Sequence, residues 1–347
     1  MLFHQEREIV SIRTILKNYL SIFFCTMLIF ACKAESEKKL DKPTSSNSTS
    51  STEQVAENQT PPTTNINNNE LANTFLWKVE KTGQPTSYLL GTIHVGKLNS
   101  SLPASVIEAL DKSNTLILEN NIEPSQAEIM SLTASMIAEE PLSQKIGQER
   151  FDLLQKKLEH KFPGGAASGL EMIKPWAVVQ LILYSEPEGY SIEFGIDKLL
   201  NGKAKQNAKK QDYLETVQEV SNYFINMPDD KINTLFDVAL KNEQESTKQT
   251  QQLLEQYQNG QLPELAKQYT NKAEMLKHYP VAEHPFWEKW LYQDILIGRT
   301  QKWLPKIESQ LATEPTLIAV GTAHLVGDQG LIKILRDKGY SVTPVMP

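Results

Sequence analysis

Cysteine is nearly absent from this 347-residue sequence. The two cysteines, Cys25 and Cys32, both lie close to the N-terminus. The rest of the chain therefore has no pair that could form a disulfide, and it cannot bind a metal through thiolates. A metal bound there would need histidine, aspartate, glutamate or water as its ligands.

Several common enzyme motifs are also missing. The sequence contains no His-Glu-x-x-His, no Gly-x-Ser-x-Gly, no phosphate-binding loop and no Gly-x-Gly-x-x-Gly. The sequence therefore lacks the motifs that would assign it to the zincins, the α/β-hydrolases, the ATPases or the Rossmann-type enzymes. The formal net charge is −7. This acidic balance argues against a nucleic-acid partner, since such partners attract broad basic surfaces.

The N-terminus resembles a targeting segment. Three basic residues precede an apolar stretch that runs roughly from Tyr19 to Ala31. This stretch is too short to span a bilayer and is typical of a signal peptide. It ends in Ile-Phe-Ala-Cys, which is similar to a bacterial lipobox. We expect residues 1–32 to be a lipoprotein-type signal peptide with lipidation at Cys32; the alternative is an ordinary cleaved signal. Lipidation would anchor the exported chain to the bacterial envelope, on the periplasmic side of the outer membrane.

A polar linker follows the signal segment. Residues 33–71 consist mainly of Ser, Thr, Asn, Gln and Pro, and they contain few apolar side chains. Such a segment cannot bury enough surface to offset its conformational entropy, so we expect a disordered tether. Residues 72–347 are long enough for one large domain with a hydrophobic core.

The sequence Gly-Thr-x-His occurs twice, ending at His94 and at His324. Each copy follows an apolar run that predicts a buried strand, and each is followed by a helical pattern and a second apolar strand. Ligands of open α/β sheets bind at the carboxyl ends of the strands. We therefore predict that both histidines lie at one edge of a shared sheet.

The predicted fold class is α/β, with a mixed sheet built from two related strand–Gly-Thr-x-His–helix–strand halves. Between the halves, residues from about 125 to 311 show mostly helical patterns. We expect this helical insertion to cover the edge of the sheet that carries the histidines.

Glu119 ends the apolar strand that follows the first histidine loop. Its carboxylate is expected at the same sheet edge as His94, although a glutamate at a strand end can also simply face water. Two imidazoles and one carboxylate would suit manganese, cobalt or zinc with open positions for water. The candidate metal ligands are therefore His94, Glu119 and His324.

Arg299 interrupts an apolar row on the last predicted helix. An arginine on an apolar face needs a carboxylate, a phosphate or a substrate as partner, unless it extends to solvent. Glu215 is a further acid with weak support from its neighbours alone, and Asp197 could equally be a helix N-cap. The row at four-residue spacing contains Trp287, Leu291, Ile295, Arg299, Trp303, Ile307 and Leu311.

These motifs together resemble the TraB/GumN family, which is related to the Tiki proteases. Tiki proteins are membrane-attached peptidases that depend on manganese or cobalt. The resemblance implies that His94, His324 and Glu119 form a metal-centred set, with Glu215 and Arg299 as members of the site. Thr300 departs from the family, which often has asparagine at this position. The matching segments are Leu76–Val79, Gly91–His94, Leu170–Trp176, Gly195–Asp197, Leu214–Thr216, Arg299 and Gly321–Gly327.

We expect a metal-dependent hydrolase that cleaves peptides or another small substrate. The metal would activate water, Glu119 or Glu215 would position or deprotonate it, and Arg299 would stabilise the developing oxyanion. One alternative is a metal-independent ester hydrolase similar to erythromycin esterases, with a histidine as general base. Another is a non-catalytic binding protein of the envelope.

Overall fold

The computed structural model describes residues 71–159, 166–183 and 187–346. The predicted signal peptide, the lipidation of Cys32 and the predicted linker up to residue 70 lie outside these residues. Within the described ranges, no helix combines the length and the apolar character needed to cross a bilayer.

A mixed sheet forms the centre of the protein, as the sequence predicts, and it has six strands. Its strand order is β6-β4-β7-β2-β1-β8. Strand β1 is antiparallel to both of its neighbours, whereas β2–β7, β7–β4 and β4–β6 are parallel pairs. A separate two-stranded ribbon pairs β3 with β5. The strands are β1 (Leu76–Glu80), β2 (Ser87–Thr92), β3 (Gly96–Lys97), β4 (Thr115–Leu118), β5 (Tyr190–Ser191), β6 (Lys210–Tyr213), β7 (Thr316–Gly321) and β8 (Ser341–Pro344).

The central strands are buried along their whole length. Every residue of β2, β4 and β7 is buried. Strands covered on both faces appear in a sequence as continuous apolar runs, which is why these three were predictable. Strand β6 was not predicted, because its sequence Lys-Gln-Asp-Tyr is polar and lies within a segment expected to be helical. It forms the edge of the sheet, where polar residues are tolerated.

Helices account for most of the chain between β4 and β7, in agreement with the predicted insertion. They pack a second hydrophobic core beside the core on the sheet, and α5 is buried along almost its whole length within it. The helices are α1 (Ala104–Asp111), α2 (Gln126–Met136), α3 (Leu142–Ile146), α4 (Gln148–Leu158), α5 (Pro175–Leu183), α6 (Ile196–Gln206), α7 (Val217–Ile225), α8 (Asp229–Lys241), α9 (Glu243–Gln258), α10 (Leu262–Thr270), α11 (Lys272–Leu276), α12 (His284–Glu288), α13 (Arg299–Thr313) and α14 (Leu331–Asp337).

Each Gly-Thr-x-His strand leads through a helix to another strand of the sheet. From β2 the chain passes through α1 to β4, and from β7 it passes through α14 to β8. Strand β7 is inserted between β2 and β4, so that β2 and β7 are direct neighbours. This neighbour relationship brings the two histidine-bearing strand ends together.

The apolar row around Arg299 is buried from Trp287 to Leu311. The segment Lys289–Gly298, between α12 and α13, is a π-helix. In an α-helix, a step of four residues overshoots one turn by about 40°. A π-helix has more residues per turn, so the same step falls short of a turn. The π-helical segment therefore rotates the row in one direction and α13 rotates it in the other. Because the two rotations partly cancel, the row stays on one face.

Candidate functional site

Both histidines lie at the carboxyl edge of the parallel strands. Thr92, the last residue of β2, is in register with Gly321, the last residue of β7. The Thr322 hydroxyl donates a hydrogen bond of 2.9 Å to the Thr92 carbonyl. His94 and His324 therefore follow two adjacent strand ends that are bonded directly to each other.

The imidazole of His324 is enclosed by the last long helix. The Thr300 hydroxyl lies 2.7 Å from the Leu296 carbonyl and 2.8 Å from Nδ1 of His324. A hydroxyl carries one proton, and the carbonyl can only accept it. Nδ1 of His324 must therefore donate to Thr300, which leaves the lone pair of the neutral ring on Nε2.

Burial also keeps the His324 ring neutral. The side chain has no exposed surface, and its Nε2 atom lies 3.4 Å from Nη1 of Arg299. Burial and the positive charge of Arg299 lower the pKa of His324 to about 3, although the carboxylate of Glu119 opposes this shift. The ring is therefore uncharged at neutral pH.

His94 has a charged partner. Its Nδ1 atom lies 2.8 Å from Oδ2 of Asp197, whose other oxygen accepts a 2.8 Å hydrogen bond from the Thr92 hydroxyl. Burial disfavours the charged ring, but the carboxylate of Asp197 outweighs it and raises the pKa of His94 above 6.5. When the ring is neutral, the bond to Asp197 places the proton on Nδ1 and the lone pair on Nε2.

The N-cap interpretation of Asp197 is wrong. Gly195 is the N-cap of α6, while Asp197 lies in the first turn and contacts the site instead. A Cβ atom on Gly195 would lie 2.2 Å from the His94 carbonyl oxygen, so only glycine permits this approach of the two backbones. The sequence signal that could have identified Asp197 as a site residue is the short motif Gly-Ile-Asp at residues 195–197.

Arg299 binds two buried glutamates, as expected for an arginine on an apolar face. Its Nη2 group donates to Glu119 Oε2 at 2.7 Å, and its Nε group donates to Glu215 Oε1 at 2.8 Å. The Gly321 amide donates to the other Glu119 oxygen at 2.6 Å. Arg299 is only 1% exposed, so extension to solvent is excluded.

The two glutamates differ in their electrostatics. Burial favours the protonated form of both. For Glu119, the opposing effects of Arg299, the two histidines and the Gly321 amide lower the pKa to about 2. For Glu215, burial outweighs Arg299 and raises the pKa. The Oε2 atom of Glu215 is buried and makes no hydrogen bond of standard geometry among the described residues, and the Trp303 side chain is the donor that acts on this carboxylate besides Arg299.

The donor chemistry at this edge fits a divalent metal. His94 and His324 each use Nδ1 for a protein partner, which is how metal-binding imidazoles are commonly oriented. Glu119 Oε1 lies 3.9 Å from His324 Nε2. A carboxylate has about four acceptor sites and Glu119 uses two, so it retains capacity for a metal.

The carboxylate is not, however, arranged as a finished ligand. Within the described part of the chain, no three His, Cys, Asp or Glu side chains gather as a preformed metal cluster. Glu119 instead faces Arg299 and the Gly321 amide. Nη1 of Arg299 also lies 3.4 Å from Nε2 of His324. A metal at this edge would therefore require Arg299 to withdraw from His324 and Glu119 to reorient.

These features define the protein as an α/β protein with a buried polar site at the carboxyl edge of its parallel strands. The chain belongs to the TraB/PrgY/gumN family, whose model matches residues 75–344.

Several proteins are similar to this chain at low identity. The uncharacterized protein YbaP of Escherichia coli (strain K12) is 24% identical over 253 residues, covering 72% of this chain and 87% of YbaP. Metalloprotease TIKI2 of Danio rerio is 22% identical and covers 79% of this chain. A metalloprotease TIKI homolog of Amphimedon queenslandica is 24% identical over the same share. The chain spans 61% and 62% of these two metalloproteases. No solved structure matches the chain.

Proposed function

We propose that this protein is a divalent-metal-dependent hydrolase that cleaves peptides, with manganese or cobalt as the preferred metal and zinc as a further candidate. The observation that carries the proposal is the pair of imidazoles at one sheet edge, each with Nδ1 engaged by a protein partner. The similarity to two proteins named as metalloproteases supports the same chemistry.

The histidines have separate supports in this proposal. Asp197 orients His94 and increases the basicity of its ring, whereas Thr300 selects the tautomer of His324 without adding charge. A bound divalent metal would supply Lewis acidity and would lower the pKa of a coordinated water. The protein contributes the orientation of the two Nε2 atoms.

The two glutamates have different roles in the proposed mechanism. Glu119 stays ionised and is the candidate third ligand, because its pKa is about 2. Glu215 has a raised pKa and an Oε2 atom without a hydrogen bond of standard geometry, so it is suited to take a proton from water and return it to the leaving group. We therefore assign the proton transfer to Glu215.

Arg299 holds the two carboxylates in place. Its Nε and Nη2 groups donate to Glu215 and Glu119, so they are not available for substrate. Only Nη1, which faces His324, could contact an oxyanion that develops on the attacked carbonyl. In this proposal Arg299 acts first as an organiser of the acids.

Activity assays test the histidine pair. The purified protein with manganese or cobalt should cleave a peptide library, and His94→Ala and His324→Ala should reduce cleavage to background. His278→Ala is the control, since His278 forms its ion pair with Glu245. Full activity in the two site variants would remove the histidines from the mechanism. Activity that survives exhaustive chelation would instead favour the metal-independent ester hydrolase.

Metal binding can be measured without a substrate. At a free metal concentration about a hundredfold above its dissociation constant, binding should stabilise the native protein by roughly 2.7 kcal/mol. The midpoint of thermal unfolding should rise accordingly, and His94→Ala should remove most of the rise while His278→Ala should not. If manganese, cobalt and zinc all leave the midpoint unchanged, a non-catalytic binding protein becomes the better proposal.

We also propose that the chain is exported and anchored by a lipid on Cys32. The support is the apolar segment and the lipobox-like sequence before this residue. Mass spectrometry of the N-terminal peptide should detect acyl groups, and Cys32→Ser should release the protein from the membrane fraction. An unmodified Cys32 in membrane-bound protein would contradict this assignment.

A further inference from the structure

A cavity of about 450 Å³ lies beside the His94 loop, separate from the residues assigned above. It opens between β1, β2, α1 and the end of α9. Ile93 and Val95 line it on either side of His94 in the sequence, whereas the His94 ring binds Asp197. Its volume is in the range of small-molecule pockets, which is about 300–1,000 Å³.

Most of the surface that lines the cavity is apolar, although Asn73, Thr74, Gln258 and Asn259 also line it. Side chains from three parts of the fold contribute to the apolar surface, among them Leu90, Val106 and Leu254. The Tyr257 ring stacks on Phe75 with 4.1 Å between ring centroids, and its hydroxyl donates to the Gly91 carbonyl at 2.6 Å. Because this hydroxyl is already used, Tyr257 offers a ring face to a ligand.

One side of the cavity mouth is polar and cationic. Lys97 is the single charged residue among the described lining residues, and it is exposed. A turn closed by the Ser100 amide and the Lys97 carbonyl, 3.0 Å apart, places Ser100 and Ser101 close to it. Ser105 adds a third hydroxyl from α1. An anionic group at this mouth would meet one ammonium group and several hydroxyl donors.

We propose that this cavity binds a single-chain amphiphile with an anionic head, such as a medium-chain fatty acid. The chain occupies the apolar interior, and the carboxylate lies against Lys97 and the neighbouring serines. An extended apolar chain fits the lining better than a peptide does, because most of the lining surface is apolar and would leave buried peptide amides without hydrogen-bond partners. The site stands independently of the hydrolase proposal, since it uses none of the metal or proton-transfer residues.

Photoaffinity labelling tests the proposal on the full chain. The probe is a decanoate analogue that carries an alkyl diazirine at its far end, and the labelled peptides are mapped by mass spectrometry. Labels should concentrate on the segments that line the interior, α1 and the end of α9. Unlabelled decanoate should compete roughly tenfold better than octanoate, because each buried methylene adds about three- to fourfold in affinity.

Matched variants locate the chain and the head group. Ser105→Phe should obstruct the cavity at its mouth and reduce labelling at least tenfold, while Ala104→Phe, at an exposed neighbouring position, should leave it within twofold. Lys97→Glu should weaken labelling by the carboxylate probe but not by the corresponding alcohol. Lys156→Glu, an exposed lysine on α4, is the control for charge. Lys97 is exposed at the end of β3, so Lys97→Glu keeps the test valid if Ser105→Phe does not fold.

Three results would overturn the proposal. Labelling that is spread over the surface and insensitive to Ser105→Phe would show that the cavity is not the binding site. Equal effects of Lys97→Glu on the acid and alcohol probes would remove the anionic head. Competition by an uncharged apolar peptide as strong as that by decanoate would identify the occupant as a peptide side chain.

Discussion

His94 and His324 occupy the same motif at the same sheet edge, yet their surroundings shift their pKa values in opposite directions. The His94 side chain is 12% exposed and binds a carboxylate, which raises its pKa. The His324 side chain is fully enclosed beside a guanidinium and a hydroxyl, and its pKa falls to about 3. A local motif therefore sets where an imidazole lies, whereas its charge depends on partners from elsewhere in the chain.

Those partners come from the helical insertion. Asp197 belongs to α6 and Thr300 belongs to α13, and both lie between the two motif copies in the sequence. The insertion therefore completes a site that the strands only position. Substitutions in the insertion should therefore affect the His94 side and the His324 side of the site independently.

The largest expected effect concerns the His324 side. Arg299→Met leaves Glu119 and Glu215 buried without their cation, and loss of one partner of a buried ion pair costs about 3–5 kcal/mol. Urea unfolding should show this loss in the metal-free protein. Arg150→Met is the control, because Arg150 binds Asp237 with a side chain that is 32% exposed. It should cost no more than about 1 kcal/mol.

Equal stability of Arg299→Met and wild type would mean that the two glutamates are protonated or hydrated without the arginine. Buried ion pairs would then not distinguish the His324 side of the site from the His94 side.

A smaller effect should distinguish the partners of the two rings. Asp197→Asn and Thr300→Val should each lower metal affinity by about 10- to 100-fold, since such partners orient the ligating imidazole. Asp197→Asn should have the larger effect, because it removes a charge as well as an acceptor. Thr300→Ser should restore most of the affinity, as serine retains the hydroxyl. Titration calorimetry with manganese measures both.

Asp328→Asn, at an exposed position in the loop after His324, provides the matched control. If Thr300→Val binds metal as tightly as Thr300→Ser, the hydroxyl does not select the tautomer of His324.

The last expected effect is a pH dependence. The pKa of His324 is near 3 in the folded protein and about 6.5 when unfolded, so the unfolded state binds more protons between these values. Stability from His324 is complete above pH 6.5 and declines as the pH falls, by up to about 1.4 kcal/mol per pH unit. His94 has the opposite sign. Its raised pKa gives stability that is complete below pH 6.5 and is lost as the pH rises through the folded value.

Ring-proton NMR in the presence of a chelator tests both directions. His94 should remain protonated above pH 6.5, and His324 should remain neutral at pH 5. In parallel, His324→Gln should reduce the fall in unfolding free energy between pH 6.5 and pH 5. Titration of both rings near pH 6.5 would refute the difference between them.

Features carried by continuous local patterns could be predicted from the amino-acid sequence. The apolar runs identified β2, β4 and β7, and the repeated motif indicated that His94 and His324 meet at one edge. The apolar row around Arg299 implied a carboxylate, a phosphate or a substrate as partner, with extension to solvent as the alternative, and the structure places two carboxylates there. In each case a buried residue must be either apolar or paired, and the apolar residues around it in the sequence indicate that it is buried.

Other features depended on contacts between distant segments. Strand β6 is polar and forms only because β4 offers a free edge. Asp197 resembled an N-cap until the fold placed it against a histidine 103 residues away in the sequence. In the sequence, Thr300 stood out only because the family often has asparagine at this position. In the structure, its hydroxyl contacts His324 directly. A polar side chain satisfies its hydrogen bonds with whatever the fold brings near, so its partner and its protonation are decided by tertiary structure.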